Sequence, residues 1–200
     1  MIDWQALDAL AQKQMAQRKT HPMRETGFIY RHGRRVAASV CRLRARITDD
    51  ASHDDALRIA GLFHDIGKGI EPHARSGAVL ARDLLAEHLP DDLLEEVVSL
   101  IAHHSNAPSA SPWVHIFQDA DLLDHFGSIE IVLSAQYGAY NEQGIDAVLG
   151  WYADEFLPTI TRLRGRIRTE AGRAIFEEKI AFTLAFAERL KAEAAGEYIG

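Results

Sequence analysis

Apolar residues recur at intervals of three and four along nearly the whole chain, and no stretch of useful length alternates with a period of two. That pattern predicts helices throughout. A first is expected over 3–18. A second is expected over 29–47, where Ile29, His32, Val36, Val40, Leu43 and Ile47 share one stripe. Ser52 followed by Asp55 reads as a capping box opening a third helix, 53–65, which Gly67 can end. Pro72 suits the first turn of a fourth, running to about His88. Leu89-Pro90 precedes a fifth over 91–104, and Ser111-Pro112 reads as the N-cap and first turn of a sixth, to about 125. Helices over 127–140, 145–164 and 170–195 complete the set, the last with Phe176, Ile180, Thr183, Ala187 and Leu190 on one face. Gly, Pro, Asn and Ser collect in the loops at 19–28, 66–71, 105–111 and 141–144. No internal repeat or low-complexity linker divides the chain. The expected fold is all-α: one helical bundle domain over 1–200, with eight or nine helices and a C-terminal layer over about 140–198.

Several of these helices carry a polar residue on their apolar stripe. His32 lies four residues before Val36, and His73 shares a stripe with Gly77, Leu80 and Leu84. His104 follows Val97 and Ile101, and Asp121 follows Val114 and Phe117 at helical spacing. His64-Asp65 closes another helix, inside GLFHDIGKGIEPHARSG. Each alone has an ordinary explanation. A lone inward His is usually hydrogen-bonded core. His103-His104 could cap a helix end, and Asp119, Asp121 and Asp124 compete within QDADLLD. Jointly they need a common cause, because each buried polar group left unpaired costs roughly 1–3 kcal/mol. A shared cation ligated by imidazole and carboxylate supplies one.

Composition narrows the setting. The 200 residues suit one domain, and 47% hydrophobic content fills a real core. A net charge of −7 argues against stable nucleic-acid binding, yet leaves room for a local positive spot that takes a small phosphorylated compound. One cysteine, Cys41, suits a reducing, cytoplasmic setting, and neither a secretion signal nor a membrane span is visible. Ten histidines are many, and five of them fall between residues 64 and 104.

The chain resembles the HD-domain metal-dependent phosphohydrolases. The resemblance rests on His32 in YRHGRRVA, His64 and Asp65 in FHDIGKG, and Asp121 in DADLLD. It extends to His73 in EPHARSGA, His103-His104 in IAHHS, and the RLRGRIRTEAG segment, and it is nearest to the small stand-alone bacterial HD hydrolases. It is weakest over the first 25 residues and over 137–160. The resemblance implies an HD-type bundle and a first metal site of His32, His64, Asp65 and Asp121. A second site would use His73, His103 and His104, with Asp65 shared. One or two divalent ions are expected, among Mn, Mg, Fe, Co, Ni and Zn. The implied reaction is hydrolysis of a small phosphorylated compound, with a nucleotide as the foremost class, by attack of a metal-activated water on phosphorus.

Asp65 and His64 would stand at the chemistry, and Lys68, between Gly67 and Gly69, is assigned to the phosphate. Arg35 and Arg75 either reach the phosphate or serve structural pairs. Trp113, Trp151, Tyr137, Tyr140 and Tyr152 either stack on a base or belong to core and rim. Segment 137–160 is the candidate lid for substrate choice. Two other readings stay open: a dinuclear-iron oxygenase of the same fold, and a non-catalytic metal-dependent binding or regulatory domain.

Overall fold

In the computed structural model, which describes residues 2–19, 21, 24–105 and 107–197, the periodic segments form α-helices, with no strand among the described residues. They are α1 (Trp4–Met15), α2 (Phe28–Arg44), α3 (Asp54–Phe63), α4 (His73–Leu85) and α5 (Asp91–His103). After them come α6 (Pro112–Leu123), α7 (Ser128–Tyr140), α8 (Ile145–Trp151), α9 (Leu157–Arg164) and α10 (Glu170–Ala194). The fold is all-α. The segment expected as one helix over 145–164 is continuous but not uniform: a π turn, Tyr152–Phe156, joins α8 to α9. Pro158 sits in the first turn of α9 and has no N–H to return to the preceding turn, so the ladder widens just ahead of it.

Local chemistry sets the ends. Asp3 accepts from the Ala6 amide at 2.9 Å and starts α1. Thr169 caps α10 by accepting from the Gly172 amide at 2.9 Å. The expected Ser52 capping box does not form. Ser52 Oγ turns back to Asp50 Oδ1 at 2.6 Å, and α3 begins at Asp54. Asp54 is held instead by Arg44 at 2.8 and 2.5 Å, tying the end of α2 to the start of α3. Pro72 precedes α4 as its N-cap residue, and Glu71 caps the helix by accepting from the His73 amide at 3.0 Å. α2 ends at Arg44, which leaves Ile47 beyond it and 41% exposed.

The α2–α3 contact positions the interior. A Cβ on Gly33 would fall 2.6 Å from the Leu62 carbonyl oxygen, and one on Gly61 would fall 2.8 Å from the Ala37 backbone. Only glycine allows that approach, and it brings His32 and His64 within reach of each other. α5 packs on α3 and α4, and α6 crosses α2 and α3. α10 lies over α6, α7, α8 and α9. One apolar core runs from Leu7 to Ala187, centred on fully buried Phe63, Phe117, Phe156 and Phe176. Each such side chain contributes about 1.5–3 kcal/mol.

Candidate metal centre

α3 ends one residue before His64, and the chain tightens into a 3₁₀ turn, His64–Gly67. This turn is clamped from both sides. Arg18 donates to the carbonyl oxygens of Ile66 and Lys68, each at 2.6 Å. On the other side, a Cβ on Gly67 would lie 2.3 Å from the Gly77 nitrogen of α4. Gly67 therefore serves the packing of the turn on α4.

Around the turn, side chains from four helices converge. His32 Nε2 lies 3.1 Å from His64 Nε2 and 3.0 Å from Asp121 Oδ1. His64 Nε2 is 3.4 Å from the same Asp121 oxygen and 3.9 Å from Asp65 Oδ1. Asp65 Oδ1 continues the array, 3.7 Å from His104 Nε2, and the His73 and His104 rings stand 5.1 Å apart. Donor atoms of His32, His64 and Asp65 all fall within 4.8 Å of one another, as do those of Asp65, His73 and His104. Asp65 belongs to both groups.

The other face of each ring shows what the cluster holds. His64 Nδ1 donates to the Gly61 carbonyl at 2.9 Å, and His104 Nδ1 to the Ile101 carbonyl at 2.7 Å. His32 Nδ1 donates to Asp124 at 2.7 Å, and His73 Nδ1 to Glu71 at 3.2 Å. Carbonyls and ionised carboxylates only accept, so the proton of each neutral ring is on Nδ1, and Nε2 presents a lone pair. Those lone pairs face one another and two carboxylates in a buried space. Such an arrangement needs positive charge at its centre, and without a cation protons must supply it. Burial alone would lower the His32 pKa, but hydrogen bonds to Asp121 and Asp124 outweigh it and raise it to about 9. Burial likewise opposes ionisation of Asp65 and Asp121, yet the His64 charge holds both carboxyls below the usual range. The donor set fits a divalent ion with mixed imidazole and carboxylate ligands.

A cavity of about 210 Å³ opens on this array, walled by Asp65, Lys68, His73, His104, Asp121 and Arg166, with Gln118 and His125 beside them. Lys68 Nζ stands 3.4 Å from Asp65 Oδ1. Three of the residues expected here are elsewhere. His103 bonds the Ser99 carbonyl at 2.8 Å on the outer side of α5, a step of about 100° from His104. Arg35 grips Asp124 through Nε and Nη2, each at 2.9 Å, and so braces the carboxylate that orients His32. Arg75 is exposed on α4 and lines no part of the cavity. Asp119 is also apart: it accepts from the Arg168 and Thr169 amides at 2.8 Å, with Gly172 leaving room for it.

Two residues of the site escaped the sequence reading. His125 lies one residue beyond the QDADLLD run, its ring 4.7 Å from that of His32 and its Nε2 4.0 Å from Asp121. Its position four residues after Asp121 was the available signal. Arg166 arrives from the far end of the chain because Asp119 captures residues 168 and 169. Among the described residues three buried side-chain atoms lack a partner; two, Arg166 Nε and Gln118 Oε1, belong to this wall.

An all-helical bundle encloses a layered His/Asp array whose donor groups could hold a metal ion. The chain matches the HD domain family over residues 29–125. Its fold is shared by a predicted HD superfamily hydrolase from an uncultured Thermotogales bacterium, at 23% identity and TM-score 0.64, over 96% of this chain and 93% of that one. Bacillus subtilis YpgQ, solved in complex with ADP, is 18% identical with TM-score 0.65, over 94% and 97%. A Lactobacillus plantarum protein is 21% identical with TM-score 0.60, over 98% and 100%. Among curated proteins no sequence match was found.

Proposed function

We propose that the protein is a divalent-metal-dependent phosphohydrolase acting on a nucleotide, with the whole chain folding as one domain. The observation that carries this reading is the set of Nε2 lone pairs, on rings whose Nδ1 atoms are already bonded, converging on Asp65 and Asp121. His32, His64, Asp65 and Asp121 would hold the first ion, and His73 and His104 a second, with Asp65 common to both. A bound divalent ion supplies charge neutralisation at phosphoryl oxygens and an acidified water at neutral pH.

The chain's own groups supply the rest. Lys68 and Arg166 put two basic side chains on the cavity wall beside Asp65 and Asp121, so that with the carboxylates engaged by a cation the wall suits a phosphate. Arg166 Nε needs an acceptor, and a phosphoryl oxygen is one. Fixed donors of this kind act most strongly on charge that develops in the transition state. Glu71, Asp124 and the Gly61 and Ile101 carbonyls keep the rings from turning. The ADP bound to the structurally similar YpgQ supports a nucleotide as the substrate class.

The test is a panel of nucleotides and phosphate esters offered to metal-stripped protein reloaded in turn with Mn, Mg, Co, Fe and Ni. Phosphate or pyrophosphate release that disappears in His64→Ala and Asp65→Ala is expected. Oxygen uptake by the iron-loaded protein with no phosphate release would overturn the reading in favour of an oxygenase. Release unchanged in both variants would remove the site from the chemistry altogether.

A further inference from the structure

His125 has two sides. One joins the wall of the metal cavity, and the other lines a second cavity of about 480 Å³. This second space is bounded by Arg24, Glu130, Leu133, Ser134, Tyr137 and Trp151. Its size falls within the range of small-molecule sites, about 300–1,000 Å³, and its lining has their character: mostly apolar and aromatic surface with a few fixed polar groups. Trp151 is braced edge-on by Tyr152 at 5.0 Å and Phe156 at 5.3 Å, which makes it a rigid wall. Tyr137, 47% exposed, stands at the rim. The Arg24 guanidinium is steadied over the Phe28 ring at 4.9 Å.

Glu130 is the unusual member. It is only 8% exposed, and the hydrogen bond it receives from Tyr152, at 3.2 Å, comes from one hydroxyl. A carboxyl has accepting capacity for more than one donor, and in either protonation state at least one of its oxygens accepts. A buried acceptor beside aromatic walls selects a flat ring that carries an N–H donor on its edge.

We propose that this cavity is the nucleobase subsite of the enzyme, with Glu130 accepting from the amino group of an adenine, guanine or cytosine ring flanked by Tyr137 and Trp151. The inference rests on the nucleotide phosphohydrolase reading, since it places the phosphates across His125 beside Lys68 and Arg166. It also narrows the part of segment 137–160 in substrate choice to Tyr137 and Trp151, and adds Glu130 from outside that segment. Uracil is the discriminating base: it has no amino group, and its one edge donor, N3–H, lies between two carbonyl oxygens that repel an approaching carboxyl oxygen.

The experiment is calorimetric binding of adenosine, guanosine, cytidine and uridine triphosphates and of inorganic tripolyphosphate to the manganese-loaded full-length chain, with phosphate release assayed in parallel. The amino-bearing nucleotides are expected to bind about tenfold tighter than uridine triphosphate, the scale of one hydrogen bond. Glu130→Leu removes that advantage and leaves tripolyphosphate binding unchanged, whereas Glu130→Gln, which keeps an accepting oxygen, preserves it. Tyr137→Ser, an exposed position that folding tolerates, weakens every nucleotide but not tripolyphosphate. Uridine triphosphate binding as tightly as the others, or Glu130→Leu retaining the preference, overturns the subsite. Base-selective binding without phosphate release keeps the subsite and refutes the hydrolase reading, and base-blind binding with release does the reverse.

Discussion

Asp124 touches none of the Nε2 atoms, yet it decides how His32 stands. It accepts from His32 Nδ1 at 2.7 Å and is itself held by Arg35. A carboxylate behind a ligating imidazole fixes the tautomer and raises the basicity of the ring, and losing one typically costs 10–100-fold in metal affinity. Asp124→Asn is therefore expected to weaken manganese binding by about 10–100-fold in a titration of the stripped protein. Unchanged affinity would reduce Asp124 to a partner for Arg35. At this scale the sequence was informative about residue type and less so about direction. Helical phase identifies a face, and His32, His73, His104 and Asp121 were read inward and are brought together. His103, one step from His104, could not be separated from it by pattern, since both end the same helix. Arg35 had two destinations within reach of its long side chain, and only the position of Asp124 chose between them.

At the scale of elements, the closest joint is between the His64–Gly67 turn and α4. A Cβ on Gly67 would meet backbone atoms of Gly77 and His73, which have no rotamer by which to yield. Gly67→Ala is expected to push α4 outward, at a cost of about 1–3 kcal/mol in denaturant unfolding. Because α4 carries His73, it should also weaken the second metal equivalent more than the first; equal effects on both would contradict the shared-joint account. Nearly every helix was legible, because a stripe of period 3.6 survives in a single sequence. Their ends were less so. Ser52 and Asp55 have the spacing of a capping box, but Asp54 is claimed by Arg44, a tertiary partner that local pattern does not contain. The π turn before Pro158 was likewise invisible to a reading that tests only one helical period.

At the scale of the molecule, Glu130 links substrate choice to stability. Burial, opposed only by the Tyr152 hydrogen bond, raises its carboxyl from 4.5 to about 7. The folded chain thus binds this proton more tightly than the unfolded chain, and the resulting stability declines as pH climbs from the ordinary glutamate range through about 7. Glu130→Gln, which keeps an acceptor for Tyr152 and has no charge to develop, should gain stability over the native protein on the order of 2–3 kcal/mol near pH 8, and little near pH 5. Thermal unfolding at the two pH values measures the difference, and an equal shift at both would exclude ionisation of Glu130 as its source. What the sequence determined by itself was the helical class, most helix positions, and which apolar stripes carry a histidine or a carboxylate. These follow from periodicity and residue chemistry, both local in the chain. What the tertiary structure alone decided was which polar groups share one space. It turned His103 outward, spent Arg35 on Asp124, brought Arg166 back across the bundle through Asp119, and set Glu130 beside Trp151. Those outcomes depend on contacts between distant segments, where space and partner geometry select among side chains that look equivalent along the chain.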